Sequence, residues 1–239
     1  MFKNPTHNSL AFILIVLVAI VDGILVADHF YAKSPNTSTI EPVTSDITET
    51  IEVTAPPVVV PVKSVPFITQ APLGIWKSPW TEYAEEACVY MAYKWANNEG
   101  VSTQKIASDD LYGIGLWENE QFGSSKLTDA SQTLQILKEY LGHTKATLSY
   151  DLGAEDIKML LDQDMVMIVP VNGGLLLNPH YGKPAPEHHM VLIYDYDETT
   201  FITNDPGTLY GEAYAYNQTA LLNSIQDLNG DKVMIVVGR

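Results

Sequence analysis

The sequence predicts an α+β fold in which a helical N-terminal half packs on a mostly antiparallel C-terminal sheet. Apolar residues recur at helical spacing up to about residue 162, whereas runs rich in Val, Ile and aromatic residues follow from residue 165. Asn-Gly-Gly and Asp-Pro-Gly turns separate these later runs. Because helices come first and strands follow, the pattern favours an α+β domain over an alternating α/β sheet. The 239 residues suffice for one such domain and an appendage.

The appendage is predicted at the N-terminus. Residues 10–27 form an eighteen-residue apolar run, just long enough to cross a bilayer core of ~30 Å. The run lacks a good small-residue cleavage site, so we expect residues 1–31 to be an uncleaved membrane anchor, with the rest of the chain outside the cytoplasm. The alternative is a cleaved signal that releases a secreted protein. Residues 32–65 are rich in Pro, Thr and Ser and predict an extended tether, which leaves residues 66–239 for the folded domain.

The helical half is predicted to begin after a short strand, VPFITQ (residues 65–70), and a turn-rich loop. The first helix is predicted over about Glu86–Asn97, where apolar side chains recur at helical spacing and Gly100 ends the pattern. Residues 108–123 predict a mixed loop with short helical turns.

Two further helices and a set of strands complete the predicted domain. One helix covers residues 128–143, with Thr128 as its cap, and another starts near Ala154. The predicted strands are residues 165–171, 189–197, 200–205 and 232–238.

The net charge of the chain indicates which classes of partner it can bind. Against 13 Lys and Arg the chain has 29 Asp and Glu, for a net charge of −16, and its single arginine is Arg239. Nucleic-acid binding needs a basic surface to neutralise phosphates, so this balance disfavours it.

Four residues, taken in chain order, suggest thiol acyl-transfer chemistry: Gln70, Cys88, His189 and Asp205. A thiolate can attack a carbonyl, an imidazole can take and return the proton, a carboxylate can orient the imidazole, and a side-chain amide can stabilise the oxyanion. Cys88 is the only cysteine of the chain, so no internal disulfide is available to it. A cysteine at the start of the first helix would benefit from the helix dipole, whereas an earlier helix start, capped by Thr81, would remove that benefit.

The alternation of side chains along the predicted strand distinguishes the two adjacent histidines. His189 shares a face with Val191 and Ile193, and His188 points to the opposite face. Asp205 follows sixteen residues after His189, a suitable distance for a hairpin return.

A metal site is the alternative use of the same region. His180, His188, His189, Asp195 and Asp205 make a cluster of side chains that zinc accepts. The chain has no HExxH motif or paired cysteines, and adjacent histidines on a strand diverge, so the pattern favours acyl transfer without a cofactor.

Four segments resemble the papain-like cysteine peptidases related to the double-glycine, bacteriocin-processing peptidases, in their stand-alone exported bacterial branch. The similarity extends over residues 66–206 and is carried by VPFITQAPLGIWKSPW, EEACVYMAYKW, NPHYGKPAPEHHMVLIYDYD and ITNDPGT. The resemblance implies a papain-like fold with Cys88 as nucleophile, His189 as base, Asp205 as orienting residue and Gln70 as oxyanion donor. Two positions differ from the family pattern: Val89 replaces the usual Gly after the cysteine, and Asp195 replaces the Gly of Gly-Tyr-Asp.

The expected function is therefore that of a membrane-tethered, extracytoplasmic cysteine peptidase that hydrolyses peptide amide bonds without a cofactor. A cell-wall transpeptidase or amidase with the same triad is one alternative. A catalytically inactive module that binds peptides is the other, and the differences at Val89 and Asp195 keep it open.

Overall fold

The computed structural model describes residues 63–239, which form one compact unit. The predicted anchor (residues 1–31) and nearly all of the predicted tether (residues 32–65) lie outside the described residues. None of the helices within residues 63–239 combines the length and the apolar character that a membrane span requires.

Within residues 63–239, six strands form one sheet, and its antiparallel pairing agrees with the prediction. They are β1 (Ala146–Tyr150), β2 (Val166–Val171), β3 (His189–Tyr196), β4 (Thr200–Asn204), β5 (Tyr214–Asn217) and β6 (Val233–Val237). Their order across the sheet is β1-β6-β2-β3-β4-β5, so the strand that begins with His189 is central.

Six helices accompany the sheet. They are α1 (Ala84–Ala96), α2 (Gln104–Phe122), α3 (Ala130–Gln135), α4 (Ala154–Asp162), α5 (Gly173–Leu176) and α6 (Gln218–Ser224). A short 3₁₀ turn, Trp80–Glu82, precedes α1, and a π-helical turn, Ile136–Tyr140, continues α3.

Both faces of the sheet are covered, which explains the nearly continuous apolar character of its central strands. On one face, α1 and α3 pack on the sheet, where Met190, Leu192 and Tyr194 of β3 join their core, and α2 packs on α1. On the other face, α4 and α6 pack near Val191 and Ile193. The alternation predicted for β3 is confirmed.

Helix α2 is the largest departure from the sequence prediction, because the predicted mixed loop at residues 108–123 is helical. Thr103 caps it, and its hydroxyl accepts a hydrogen bond from the backbone N–H of Ile106 at 3.1 Å. Gly113 and Gly115, which weaken a helix on propensity alone, lie where the hydroxyls of Tyr140 and Tyr83 approach the backbone. A side chain at either position would collide with a tyrosine, so packing overrides propensity here.

Three smaller predictions are also wrong. Residues 65–70 run without regular strand structure, Asp129 rather than Thr128 caps α3, and α1 begins at Ala84, two residues before the predicted start. Asp129 prevails because it forms a capping box with Gln132, whereas the Thr128 hydroxyl bonds to that of Thr133. Strands β1 and β5 were not predicted.

Candidate active site

A cleft of about 330 Å³ lies where the start of α1, the segment before β3 and the turn after β4 meet. Gln70 and His189 line it, together with Ala84 and Glu85 from α1 and Gly207 from the turn. Further lining residues supply apolar walls: Trp76, Leu127, Pro184 and Pro186. A larger pocket of about 580 Å³ lies beside β1 and the chain end at Arg239, and none of the four predicted site residues lines it.

His189 and Asp205 form a buried pair. The imidazole Nε2 lies 2.8 Å from the Asp205 Oδ1, and the two side chains are 3% and 0% exposed. Because an ionised carboxylate only accepts hydrogen bonds, Nε2 carries the proton and Nδ1 is left as the basic nitrogen. This arrangement suits a general base that takes a proton through Nδ1.

Asp205 is held by more donors than the imidazole alone. Its Oδ2 accepts hydrogen bonds from the Tyr216 hydroxyl (2.5 Å), the Tyr181 hydroxyl (2.6 Å) and the Asn178 amide (3.2 Å). Burial opposes ionisation of this carboxyl, but the charge of His189 and the hydrogen bonds from His189, Tyr181 and Tyr216 outweigh it, so the pKa of Asp205 falls to about 2. Sequence reasoning missed Asn178, Tyr181 and Tyr216, because single tyrosines and asparagines carry no motif.

The Asp-Pro-Gly turn fits the site through its glycine. The Gly207 N–H donates to the Asp205 Oδ1 at 2.9 Å, and a Cβ on Gly207 would lie 2.7 Å from the Cε1 of His189. The absence of a side chain at Gly207 is therefore what lets the turn close against the imidazole.

Gln70 is joined to the same turn. Its backbone N–H donates to the carbonyl of Pro206 at 2.9 Å, and its side-chain Nε2 donates to the carbonyl of Trp80 at 3.1 Å. An amide nitrogen has two hydrogens, so one donor stays free for an oxyanion. The Oε1 of this 5% exposed side chain has no hydrogen-bond partner among residues 63–239.

Cys88 does not join the other three residues in the cleft. It is the fifth residue of α1, is fully buried in the core beneath the cleft, and is absent from the cleft lining found among residues 63–239. Burial, reinforced by the nearby carboxylates Asp205, Glu85 and Glu86, raises the pKa of its thiol well above the usual value. The expected position at the helix start belongs instead to Ala84, which lines the cleft.

His188 points away from His189, as the strand alternation predicts. Its Nε2 lies 3.1 Å from the Oε1 of Glu85, although the two atoms are not aligned as a hydrogen bond. Burial works against protonation of His188, but the carboxylate of Glu85 prevails and raises its pKa. Within residues 63–239 no group of three or more His, Cys, Asp or Glu side chains is placed to hold a metal ion.

Comparisons with known proteins support the fold. No protein-family model matches the sequence, and no curated protein is significantly similar to it. A solved structure described as a C39-like peptidase from Bacillus anthracis superposes with a TM-score of 0.50 at 14% identity, over 74% of this chain and 96% of that one. The peptidase domain of Streptococcus ComA, a bifunctional ABC transporter involved in quorum sensing, gives a TM-score of 0.42 at 12% identity, over 66% of this chain and 93% of that one.

The agreement with the Bacillus anthracis structure, the helices followed by an antiparallel sheet and the cleft at the start of α1 lead to one conclusion. Residues 63–239 have the papain-like α+β fold of a C39-like peptidase.

Proposed function

We propose that the domain binds an extended peptide segment in the cleft between α1 and β3, without forming a covalent bond to it. One observation carries the proposal: the cleft holds a base and an amide donor, but the only thiol of the chain is fully buried outside it. This was the non-enzymatic alternative among the sequence predictions.

The cleft walls favour a peptide as the ligand. Trp76 and Leu127 are 37% and 49% exposed at its edge, so they can still lose apolar surface on binding. Beside them, Gln70 and His189 offer polar groups that match a peptide backbone or a polar side chain. Apolar walls with a few placed polar groups are typical of ligand sites.

The burial of Cys88 disfavours covalent catalysis by this thiol. A thiol reacts as its thiolate, and both burial and the neighbouring carboxylates oppose ionisation. The side chain also belongs to the apolar core formed by α1 and the sheet, where a cysteine serves as a small hydrophobic residue.

A random peptide library displayed on phage and panned against the full chain tests the proposal. A synthetic peptide of the enriched sequence should bind about fivefold more weakly to Leu127→Ala, because half of a leucine side chain is worth about 1 kcal/mol when buried. Leu116→Ala is the matched control, since Leu116 is similarly exposed (54%) but lies on α2 and does not line the cleft. Equal losses in both variants, or no enrichment at all, would contradict binding in this cleft.

Peptide hydrolysis through Cys88 is the second candidate function. It is favoured by the preformed His189–Asp205 pair, since binding alone does not call for a buried, oriented base. It requires α1 to shift so that Cys88 reaches the cleft. Turnover of a fluorogenic peptide library by the full chain should then vanish in Cys88→Ala, and equal turnover by both proteins would rule it out. Product formed with an added amine in competition with water would indicate transpeptidation.

The location of the domain is part of the same proposal. The apolar run within residues 1–31 supports a membrane anchor, and residues 32–65 support a tether that holds the cleft outside the cytoplasm. Protease treatment of intact cells should remove the domain if it is exposed on the outer side, and complete protection would contradict this topology.

A further inference from the structure

We propose that Ala84 occupies the nucleophile position of this cleft, so that the site contains the base, its orienting carboxylate and an amide donor but has an alanine where the attacking atom belongs. The inference goes beyond peptide binding, because it assigns a latent acyl-transfer activity to the site and names the residue that withholds it.

The helix geometry leads to Ala84. Residues four apart lie on the same helix face, so Ala84 and Cys88 point in the same direction, one turn and about 6 Å apart along the axis. That face is turned toward the His189–Asp205 pair, since Ala84 lines the same cleft as His189 and as Gly207 of the turn that follows Asp205. Of the two positions, Ala84 lines the cleft with His189, and Cys88 lies beneath it.

The surroundings of Ala84 are suited to a thiolate. Ala84 is the first residue of the 13-residue helix α1, and the preceding Tyr83 makes no side-chain capping bond to the first turn. The backbone N–H groups and positive dipole of that turn favour a negative charge, and they act against the carboxylates of Glu85 and Glu86 in the same turn. Two independent observations point to a ligand there: the buried Gln70 Oε1 without a partner among residues 63–239, and the Nδ1 of His189, the ring nitrogen that does not bond to Asp205.

An introduced thiol at position 84 would complete a balanced acyl transfer. The His189 Nδ1 takes the thiol proton, and the sulfur attacks the peptide carbonyl carbon, while the free hydrogen of Gln70 Nε2 meets the oxyanion. Collapse of the adduct breaks the C–N bond, and the imidazolium returns its proton to the leaving amine. Water then attacks the thioester, which releases a carboxylic acid and regenerates the thiol.

The other side chains at this end of the cleft do not fill the role. Glu85 faces His188 rather than His189, and Thr81 belongs to the 3₁₀ turn that precedes α1. Thr81 lines the same cleft outside the helix dipole, which makes it a matched control position for an introduced thiol.

Alkylation of the full chain by iodoacetamide between pH 5 and 9 tests the proposal, with the modified residue identified by peptide mapping. In A84C/C88A the thiol should stay reactive at pH 6, and adding His189→Ala should slow the reaction at that pH by about tenfold or more. In T81C/C88A the rate should follow an ordinary thiol with a pKa near 8.5, without dependence on His189. Cys88 of the unsubstituted chain should react more slowly than free cysteine throughout.

Three results would overturn the proposal. They are equal pH profiles for A84C/C88A and T81C/C88A, a rate in A84C/C88A that His189→Ala leaves unchanged, or Cys88 as the fastest-reacting thiol. If the melting temperature shows that A84C/C88A is unfolded, A84S/C88A replaces it in the test. This serine variant should react with a fluorophosphonate, and His189→Ala should slow that reaction. Iodoacetamide reacts without a bound peptide. The alkylation rates therefore test the role of Ala84 even if the peptide-binding proposal fails.

Discussion

The domain contains two buried acidic sites that are built in opposite ways. Asp205, beneath the imidazole, is fully buried and accepts hydrogen bonds from three side-chain partners besides His189. Glu86 on α1 and Glu118 on α2 are each 1% exposed, and carboxyl oxygens of both lack hydrogen-bond partners among residues 63–239.

The pKa values follow from this difference. Burial opposes ionisation of Asp205, but the interaction with His189 and the hydrogen bonds from Tyr181 and Tyr216 outweigh it and lower the pKa to about 2. Burial, followed by the charges of Glu118 and Glu85, raises the pKa of Glu86 well above its usual value, and burial chiefly raises that of Glu118 to about 7. Buried carboxyls of this domain thus stay ionised where donors surround them and hold their proton to higher pH where donors are missing.

Removal of Asp205 should have the largest effect. Asp205→Ala leaves two tyrosine hydroxyls, an amide and the imidazole without their common acceptor, and should lower the free energy of unfolding by about 3–5 kcal/mol. Denaturant unfolding measures this, with the exposed Asp109→Ala as control, which should change stability by less than about 0.5 kcal/mol. A loss below about 1 kcal/mol in Asp205→Ala would mean that the donors do not depend on this carboxylate.

Acid should remove the same contribution without a mutation. The pKa of Asp205 is lowered in the folded state, so its stabilisation is present above the unfolded value near 3.9 and disappears as the pH falls through about 2. Between pH 5 and 2 the natural chain should lose about 2–3 kcal/mol more than Asp205→Asn, because the asparagine has no proton to bind. Denaturant midpoints at each pH measure the difference, and parallel losses in the two proteins would contradict the lowered pKa.

The hydroxyl of Tyr216 alone should account for part of the stability that depends on Asp205. Tyr216→Phe removes the 2.5 Å hydrogen bond to Asp205 and should cost about 1.5–3 kcal/mol, since bonds to charged groups are worth that much. The acid loss should then begin at higher pH, because the carboxylate has one donor fewer. Tyr150→Phe is the control at a ring that is 56% exposed, and comparable losses in both variants would show that Tyr216 acts only through packing.

The unpartnered carboxyls should give the smallest effect, with the opposite sign. The folded pKa of Glu118 is raised to about 7, so this group destabilises the fold as the pH rises from about 4.3 to 7. Glu118→Gln removes that titration and should gain on the order of 1 kcal/mol relative to the natural chain on going from pH 6 to 7. Unfolding of both proteins at the two pH values tests this, and an equal change with pH in both would contradict the raised pKa.

Local patterns in the sequence were enough to predict much of this arrangement. The period-two alternation from His189 onward determined which face each β3 side chain takes, and the hairpin distance predicted the contact with Asp205 that the structure forms. Helix α2 was not predicted because its two glycines are typical of loops. Only the structure shows that Tyr83 and Tyr140 pack against them. Asn178, Tyr181 and Tyr216 were missed for a related reason, since they meet at Asp205 from three separate segments of the chain.

By itself, then, the sequence determined helices α1, α3 and α4, strands β2, β3, β4 and β6, their antiparallel arrangement and the partner of His189, because these follow from the periods of helix and strand over short stretches. Only the tertiary structure decided where Cys88 lies relative to the cleft. A shift of two residues in the start of α1 moves the cleft-lining position to Ala84 and leaves the thiol in the core. Tyr83, which precedes α1, makes no side-chain capping bond, so no local pattern marks the start of this helix.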